Sequence, residues 1–420
     1  MWFTNTYANA AVYLKMGPVG GGWLQALDAA LQQHVDLSIV FNYPKPMEVF
    51  RFGQTTYYPV TPSFWKLRLV ADNLINQAYD KELLGKYLSL IEKIKPDLIH
   101  IHGTENPFGS IIGETDIPVV VSIQGNLTVY THKYFSGLSQ RYLKIRQHVD
   151  WKRLDSVFRS RLFYRHFGKL RSMVPAEQRN MQNCKYIIGR TDWDRRIASV
   201  LAPKATYFHG DEMLRDEFYI KKWSQRQKND VPLIHSTTTN GFYKGFETIC
   251  ECIGILNKLG QNIRWQVAGL KESDLIVKAV KRKMGSEYPL KGLYLLGSQS
   301  PESLSEYMLK ADMFVMTSHI ENSPNSLCEA MLLGMPCIAA YAGGTGSLLE
   351  DKKEGLLVQD GDPWALVGAI LEYIKDPAKS LLMAEAAHER AVKRHNKDRI
   401  LHELMATYRK ITDLERSHGN

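Results

Sequence analysis

The chain has 420 residues, which is enough for two or three domains with well-buried cores. Its composition, 44% hydrophobic and 23% charged, is that of an ordinary globular protein, and apolar runs such as residues 117–121 fall far short of the ~20 residues that a membrane-spanning helix needs. We expect no secretory signal at the N-terminus, and the five scattered cysteines predict reduced thiols in a cytoplasmic protein.

The net charge of +9 is unevenly distributed. Residues 1–230 carry 31 Lys/Arg against 21 Asp/Glu, whereas residues 231–420 are nearly neutral. Residues 141–179 hold 11 Lys/Arg and three acids, interleaved with aromatic and aliphatic side chains. Such a segment either faces an anionic membrane surface or acceptor, or forms a helical hairpin whose apolar stripe packs on its own domain. Nucleic acid is not expected as a partner, because the charge is confined to this insertion and no recognised binding motif is present.

Apolar runs alternate with amphipathic stretches in both halves, which predicts an α/β fold with mostly parallel sheets. The strands predicted in the first half are residues 2–5, 37–41, 98–102, 119–123 and 186–189. The helices predicted there are residues 22–33, 66–77 and 81–94, followed by a basic helical insertion at about residues 139–180.

The polar run 221–230 is predicted to link two domains, because it is charged and poor in aliphatic residues. Beyond it, strands are predicted at residues 233–236, 265–268, 293–296, 313–317, 337–340 and 356–358. The intervening helices are predicted at residues 246–258, 274–284, 301–309, 325–333 and 363–374, and further helices at 381–416.

The predicted architecture is two Rossmann-like doubly wound domains with a cleft between them. We place the first domain at residues 1–227 and the second at residues 228–395. Residues 396–420 are predicted to form a C-terminal helix that packs back on the first domain.

Two carboxylates, Glu321 and Glu329, flank the start of a predicted helix. Ser323 is the predicted N-cap and Pro324 the first helical residue. Glu321 would then lie at the carboxyl end of a strand, where open α/β sheets bind ligands, and Glu329 one turn into the helix. Amides at a helix N-terminus suit a diphosphate, and carboxylates suit the hydroxyls of a sugar or ribose. The segment therefore predicts a nucleotide-sugar site.

Lys244 follows the first strand of the second half and precedes a helix, a favourable place for a phosphate. The alternative is that Lys244 is an ordinary exposed lysine in a loop. Because Glu321 also follows a strand of the same domain, we favour the interpretation that Lys244 binds a phosphate. Gly20, Gly21 and Gly22 follow the first strand of the chain, where glycines let the backbone approach a ligand closely.

His100 and His102 alternate along one strand and therefore share a face. No acid or cysteine stands nearby at ligand spacing, so we expect buried or cleft-edge histidines rather than a metal site. Gln124 follows the next strand, where it could hydrogen-bond a sugar but cannot act as a base.

Two D-x-D triplets, residues 192–194 and 360–362, are possible metal ligands on a diphosphate. Both stand where a helix is predicted to begin, so we interpret them as helix-capping residues. No metal or other cofactor is expected.

Taken together, these residues resemble GT-B glycosyltransferases of family 4. The resemblance covers nearly the whole chain and is strongest over residues 231–375. It rests on Glu321-x7-Glu329, Glu329-Ala-Met331, Gly334-x-Pro336, Gly343-Gly344, residues 354–358, residues 243–245 and residues 97–102. Residues 185–194, 214–215 and 218–219 resemble a subset of this family that is found in bacterial gene clusters for surface polysaccharides.

The resemblance implies a metal-independent hexosyltransferase that moves a sugar from a UDP- or GDP-sugar, with retention, to a glycan or lipid-linked acceptor. Such an enzyme would be cytoplasmic and peripheral on the inner face of the membrane. Glu321 would contact the donor sugar, and Glu329 the ribose. The diphosphate would be held and stabilised as a leaving group by Lys244, Asn322, Ser323, Asn325, Ser326 and Leu327. The acceptor or sugar would be contacted by Gln124 and His102, and the donor would be covered by Gly20, Gly21 and Gly22.

Two residues depart from the family pattern. Thr239 stands where members usually carry an arginine, for which Arg190 or Arg215 could compensate, and Gln124 stands where many members have a histidine. The alternatives are a GT-B sugar-nucleotide epimerase and a basic non-catalytic protein that binds a sugar or nucleic acid.

Overall fold

The computed structural model describes residues 1–16, 22–62, 73–138, 154–225 and 231–418, and of residues 73–80, 154–166 and 418 only the backbone. The chain forms two compact units. The first consists of Met1–Thr128, Leu170–Met213 and His395–Asn420, and the second of Val129–Lys169 and Leu214–Arg394. These limits differ from the contiguous ranges expected from the sequence. Of the basic insertion and the linker, residues 139–153 and 226–230 lie outside the described part.

The first unit contains an eight-stranded sheet in the order β3-β4-β2-β1-β5-β6-β7-β8. Its strands are β1 Trp2–Thr4, β2 Ser38–Asn42, β3 Phe50–Phe52, β4 Thr55–Val60, β5 Ile99–His102, β6 Val119–Ser122, β7 Tyr186–Gly189 and β8 Thr206–His209. All neighbours are parallel except β3 and β4. The five predicted strands are confirmed. β3, β4 and β8 were not predicted, because they lack a continuous buried apolar run.

The second unit contains a six-stranded parallel sheet in the order β11-β10-β9-β12-β13-β14. Its strands are β9 Leu233–Thr237, β10 Arg264–Ala268, β11 Leu293–Gly297, β12 Met313–Met316, β13 Cys337–Tyr341 and β14 Leu356–Gln359. All six predicted strands are confirmed to within a residue at each end. The chain builds outward from β9 to β11 and then returns to place β12 beside β9. The direction of winding therefore reverses between β9 and β12, the point at which open α/β sheets bind ligands.

The helices are α1 Ala10–Tyr13, α2 Gly22–Leu31, α3 Asn73–Ile94, α4 Leu127–Lys133, α5 Leu154–Asn183, α6 Asp192–Leu201, α7 Glu217–Ile220, α8 Phe246–Lys258, α9 Leu275–Met284, α10 Pro301–Leu309, α11 Asn325–Leu333, α12 Pro363–Lys375, α13 Pro377–Arg394 and α14 Lys397–His418. The bounds predicted for α8, α10 and α11 are confirmed. α3 is continuous where two helices were predicted, because residues 78–80 contain no glycine or proline to end a helix.

The core of the second unit is built on buried strands and helices that are recognisable in the sequence. β12 is buried along its whole length, and α11 is buried from Leu327 to Leu333. Strands covered on both faces give the uninterrupted apolar runs that mark parallel sheets. All five cysteines are buried free thiols, which confirms the prediction of reduced cysteines. Among the described residues, no helix has both the length and the apolarity needed to cross a membrane.

Candidate functional site

Lys244 and Glu321 form an ion pair at the point where the second sheet reverses. Lys244 ends a short turn after β9, and Glu321 follows β12. The Lys244 Nζ donates a hydrogen bond of 2.6 Å to the Glu321 Oε1, and the two side chains are 20% and 11% exposed. Burial disfavours the ammonium, but the Glu321 carboxylate outweighs it and raises the pKa of Lys244. Lys244 is therefore charged at neutral pH, and both side chains remain partly exposed to solvent.

Backbone contacts hold the two loops together. Gly245 has a left-handed φ of 71°, and a Cβ atom there would overlap the carbonyl oxygen of Thr317. The Thr317 hydroxyl donates to the Lys244 carbonyl at 3.3 Å, and the His319 N–H donates to the Tyr243 carbonyl at 2.8 Å. The position of the lysine is thus tied to the loop that carries the glutamate.

A third loop supports Glu321 from the other side. The Gly344 N–H donates to the Glu321 carbonyl at 2.9 Å. Gly343 has a φ of 58°, and a side chain there would collide with the same carbonyl. These two glycines, which are part of the family resemblance, therefore contact the backbone of Glu321 directly.

The N-terminus of α11 lies within the predicted segment. The helix begins at Asn325 with Pro324 as its N-cap residue, and proline has no polar side chain with which to cap it. The prediction of Ser323 as the N-cap is therefore wrong, because the Leu327 and Cys328 amides donate to the Pro324 carbonyl and the helical hydrogen bonding begins at Pro324. The first turn also contains no acidic residue, so the positive end of the helix dipole is not neutralised from within the helix.

The other residues predicted for this segment lie in the same turn. Asn322 and Leu327 are buried, whereas Ser323, Asn325 and Ser326 are half-buried. The Asn325 Oδ1 is buried and has no hydrogen-bond partner among the described residues. An unpaired buried acceptor is costly, so this amide is a candidate contact for a bound ligand.

Glu329 is held by Arg215. Two hydrogen bonds of 2.7 Å join the Arg215 Nε and Nη2 to the two Glu329 oxygens, and the glutamate side chain is 3% exposed. Burial opposes the guanidinium charge, but Glu329 outweighs it and raises the pKa of Arg215. Arg215, predicted as a substitute for the cation missing at Thr239, is thus committed to Glu329. The two residues are 114 positions apart, so no local sequence pattern pairs them. The one available signal was the acid in an apolar helix, because a buried carboxylate needs a cation beside it.

The remaining predicted residues belong to the first unit. Gly20 and Gly21 are outside the described residues, and Gly22 begins α2. Gln124 is half-buried just after β6. Arg190 is buried, with its guanidinium carbon 4.4 Å from the Trp23 ring centroid. The phosphate-binding role expected of Arg190 therefore remains a prediction.

His100 and His102 are buried, as predicted, at 2% and 1% exposure. Burial lowers the pKa of His100 to about 3, and that of His102 well below its ordinary value, so both rings are neutral. Neither nitrogen of His102 has a hydrogen-bond partner among the described residues, and the ring borders a cavity of about 30 Å³. That volume admits only about two water molecules, so the cavity does not hold a sugar ring.

Each D-x-D triplet contributes one aspartate that caps a helix, as predicted. Thr191 and Asp194 form a reciprocal capping box at the start of α6. The Asp362 carboxylate accepts the Trp364 and Ala365 amides at the start of α12, each at 3.0 Å.

Part of the chain, lying within the second unit, matches a known protein family. Residues 219–390 match the family model for glycosyl transferases group 1, and this range includes Lys244, Glu321, Glu329 and the whole six-stranded sheet.

Two curated relatives are named for polysaccharide synthesis. The amylovoran biosynthesis glycosyltransferase AmsK of Erwinia amylovora is 26% identical over 39% of this chain and 41% of its own length. The putative teichuronic acid biosynthesis glycosyltransferase TuaC of Bacillus subtilis is 28% identical over 66% of this chain and 61% of its own length. The chain thus spans about half the length of these relatives.

Solved structures match the whole chain. Sucrose-phosphate synthase from Thermosynechococcus elongatus has a TM-score of 0.73 at 14% identity and covers 98% of both chains. Anabaena HepE in complex with UDP-glucose has a TM-score of 0.61 at 14% identity, covering 97% of this chain and 98% of its own. These matches establish the fold, and the predicted GT-B architecture is confirmed.

Proposed function

We propose that the protein is a glycosyltransferase that moves a sugar, with retention of configuration, from a UDP- or GDP-sugar to a glycan or lipid-linked acceptor of a surface polysaccharide. The observation that carries this proposal is the Lys244–Glu321 pair. It stands at the reversal point of a sheet, within the residues that match the group 1 glycosyl transferase model. The N-terminus of α11, whose first turn contains no acidic residue, follows Glu321 closely in the sequence.

The charges of Lys244, Glu321 and the N-terminus of α11 suit the cleavage of a nucleotide-diphosphate sugar. Breaking the bond between the anomeric carbon and the diphosphate leaves negative charge on the leaving oxygen. The Lys244 ammonium and the dipole of α11 stabilise that charge where it develops. The acceptor oxygen forms the new bond to the anomeric carbon, and its proton passes to the departing phosphate. Glu321 accepts hydrogen bonds from the hydroxyls of the donor sugar.

Glu329 is proposed to bind the ribose of the nucleotide. Its carboxylate is fixed by the two bonds from Arg215, and a carboxylate retains further lone pairs that can accept ribose hydroxyls. Arg215 thereby acts through Glu329 rather than on the phosphates.

The names and ligands of similar proteins support the proposed donor and acceptor classes. Two of them are named for amylovoran and teichuronic acid synthesis, and a structure of the same fold holds UDP-glucose. Metal independence is proposed because Asp194 and Asp362 are occupied as helix caps. His102 and Gln124 remain proposed acceptor contacts, although His102 would have to become exposed to touch a sugar.

A cytoplasmic location with peripheral membrane attachment is also proposed. The basic excess lies in the first half of the chain, and the first unit exposes a group of apolar side chains next to Lys15 and Arg51. These apolar residues are Val12, Tyr13, Met16, Val49 and Phe52. Exposed aromatic and aliphatic side chains beside cations suit an anionic lipid surface.

The test is turnover of a panel of UDP- and GDP-sugars in the presence of EDTA, measured as nucleotide release and sugar transfer. We expect one donor to be transferred or slowly hydrolysed. Lys244→Met and Glu321→Gln should each lower kcat by about 10²–10³-fold, as for the loss of one group that stabilises transition-state charge. Lys353→Met, which removes an exposed lysine of the same unit, should leave the rate unchanged.

Three outcomes would contradict the proposal. Interconversion of the free sugar-nucleotide without nucleotide release would indicate an epimerase, and binding without turnover would indicate a non-catalytic protein. A strict requirement for Mg²⁺ or Mn²⁺ would overturn the metal-independent mechanism.

A further inference from the structure

A buried histidine lies behind the Lys244–Glu321 pair. The His319 Nε2 is 2.6 Å from the Glu247 Oε1, and each side chain is only 3% exposed. On the other side of the ring, the His319 Nδ1 is 3.5 Å from the Asp360 Oδ2. The three residues come from the loop after β12, the first turn of α8 and the loop after β14. One imidazole therefore connects three segments at the carboxyl edge of the sheet.

Two of these segments carry Lys244 and Glu321. His319 precedes Glu321 by two residues, and Glu247 follows Lys244 by three. The His319–Glu247 contact thus joins the same two loops that the backbone bonds join, at a site shielded from solvent. Both loops that carry the 2.6 Å Lys244–Glu321 pair are therefore also joined at this buried contact.

The charges around the ring favour its protonated form. Burial alone would favour the neutral imidazole, but Glu247 from α8 and Asp360 from the loop before α12 outweigh it and raise the pKa of His319. Lys133 of α4 also belongs to this cluster, with its Nζ 3.5 Å from the Asp360 Oδ2. A protonated ring donates one N–H toward each carboxylate, whereas a neutral ring has a single N–H and leaves the buried Glu247 charge uncompensated.

Close backbone approach encloses the cluster. A Cβ atom at Gly137 would overlap the Glu247 carboxylate, and one at Gly361 would lie 3.2 Å from the His319 ring. Water therefore cannot easily replace a hydrogen bond that is lost when the His319 ring loses a proton. We expect the loops to move instead, so that the Glu247 carboxylate gains another partner.

We propose that His319 is a positioning residue for the nucleotide site: as an imidazolium between Glu247 and Asp360 it holds the Lys244 and Glu321 loops in the arrangement that binds the donor diphosphate. This inference rests on the proposed function. Its consequence is a pH dependence of known sign, because a histidine with a raised pKa contributes fully at low pH and its contribution is lost as pH rises through that pKa. Nucleotide affinity should therefore fall as the pH rises above the ordinary histidine range.

The first test is calorimetric titration of the full-length protein with UDP and with GDP between pH 6 and pH 9. For the nucleotide that binds, the wild-type affinity should weaken about tenfold at the alkaline end, the size of a typical coupling between residues in contact. His319→Gln should bind about tenfold more weakly at pH 6 and show a flat profile. His388→Gln, which removes a histidine bonded to the Leu332 carbonyl in the same unit, should keep the wild-type profile.

A second variant tests the proposal even if His319→Gln alone does not fold. His319→Gln alone leaves Glu247 buried without its cation, whereas the double variant His319→Gln/Glu247→Gln removes both charges and should fold. It too should bind weakly with a flat pH profile. A double variant with wild-type affinity and a wild-type profile would overturn the proposal.

The second test needs no ligand. We would measure the labelling rate of Lys244 by a small amine reagent with mass spectrometry. If the loops are released, Lys244 should separate from Glu321 and react about tenfold faster in the double variant than in the wild type or in His388→Gln. Equal rates would overturn the proposal. A wild-type protein that binds neither nucleotide would contradict the proposed function, while the labelling rates would still decide the role of His319.

Discussion

At the scale of single residues, the most consequential feature is a buried charge that depends on one partner. Glu329 lies in the fully buried part of α11, and its carboxylate is 3% exposed. Arg215 neutralises it with two parallel hydrogen bonds, the strongest geometry available to a guanidinium and a carboxylate. Removing the arginine would leave a carboxylate stranded among apolar side chains.

We therefore predict that Arg215→Met lowers the free energy of unfolding by about 3–5 kcal/mol. Urea denaturation at pH 7 provides the measurement. Lys353→Met, which breaks an exposed pair with Glu350, should leave this free energy essentially unchanged and is the matched control. An Arg215→Met protein as stable as the control would show that Glu329 does not need the pair.

At the scale of elements, the turn between β9 and α8 decides where Lys244 lies. Gly245 serves as the N-cap of α8 with a left-handed backbone, and its missing side chain lets the turn pass against the Thr317 carbonyl. The turn after β9 therefore packs against the segment that follows β12 too closely to leave space for a Cβ atom at Gly245. The same helix contains a second glycine, Gly254, where a Cβ atom would have no neighbour within 4 Å.

These two glycines should respond oppositely to alanine. Gly245→Ala should destabilise the protein by at least about 2 kcal/mol, because it adds left-handed strain to a collision with Thr317. It should also weaken nucleotide binding. Gly254→Ala should stabilise the protein by about 0.5–1 kcal/mol, since alanine loses less entropy than glycine in a helix. Thermal unfolding of both variants gives the signs, and a shared sign would refute the assignment.

At the scale of the whole molecule, the last helix completes the first unit. α14 follows the second unit in sequence, yet Tyr408 belongs to the first unit. Its hydroxyl accepts the Trp2 indole N–H at 3.0 Å and lies 2.6 Å from the His100 Nδ1. Ile411 of the same helix is fully buried. The first and last segments of the chain are therefore parts of one core.

Tyr408→Phe should lower the stability of the first unit by about 1–3 kcal/mol, because two buried groups lose their hydrogen-bond partner. Tyr294→Phe, at a tyrosine that is 49% exposed, should change stability by less than about 0.5 kcal/mol. Urea unfolding followed by tryptophan fluorescence compares the two. Equal stability of both variants would mean that the Tyr408 hydroxyl contributes nothing to this core.

Much of the fold and part of the candidate site could be predicted from local patterns. The central strands β9 and β12 of the second unit are largely buried, which makes them recognisable in the sequence, and Lys244 and Glu321 follow these two strands. Helix caps such as Asp194 and Asp362 act within three residues of their own position, so the sequence shows them directly.

Only the tertiary structure decided which distant groups meet. Arg215 with Glu329, His319 with Glu247 and Tyr408 with Trp2 are separated by 114, 72 and 406 residues. A local sequence pattern carries no record of such pairings, because they depend on the order in which parallel strands are laid side by side. The strand order that puts β9 beside β12 was likewise absent from the pattern of apolar runs, and it is this order that joins the lysine and the glutamate.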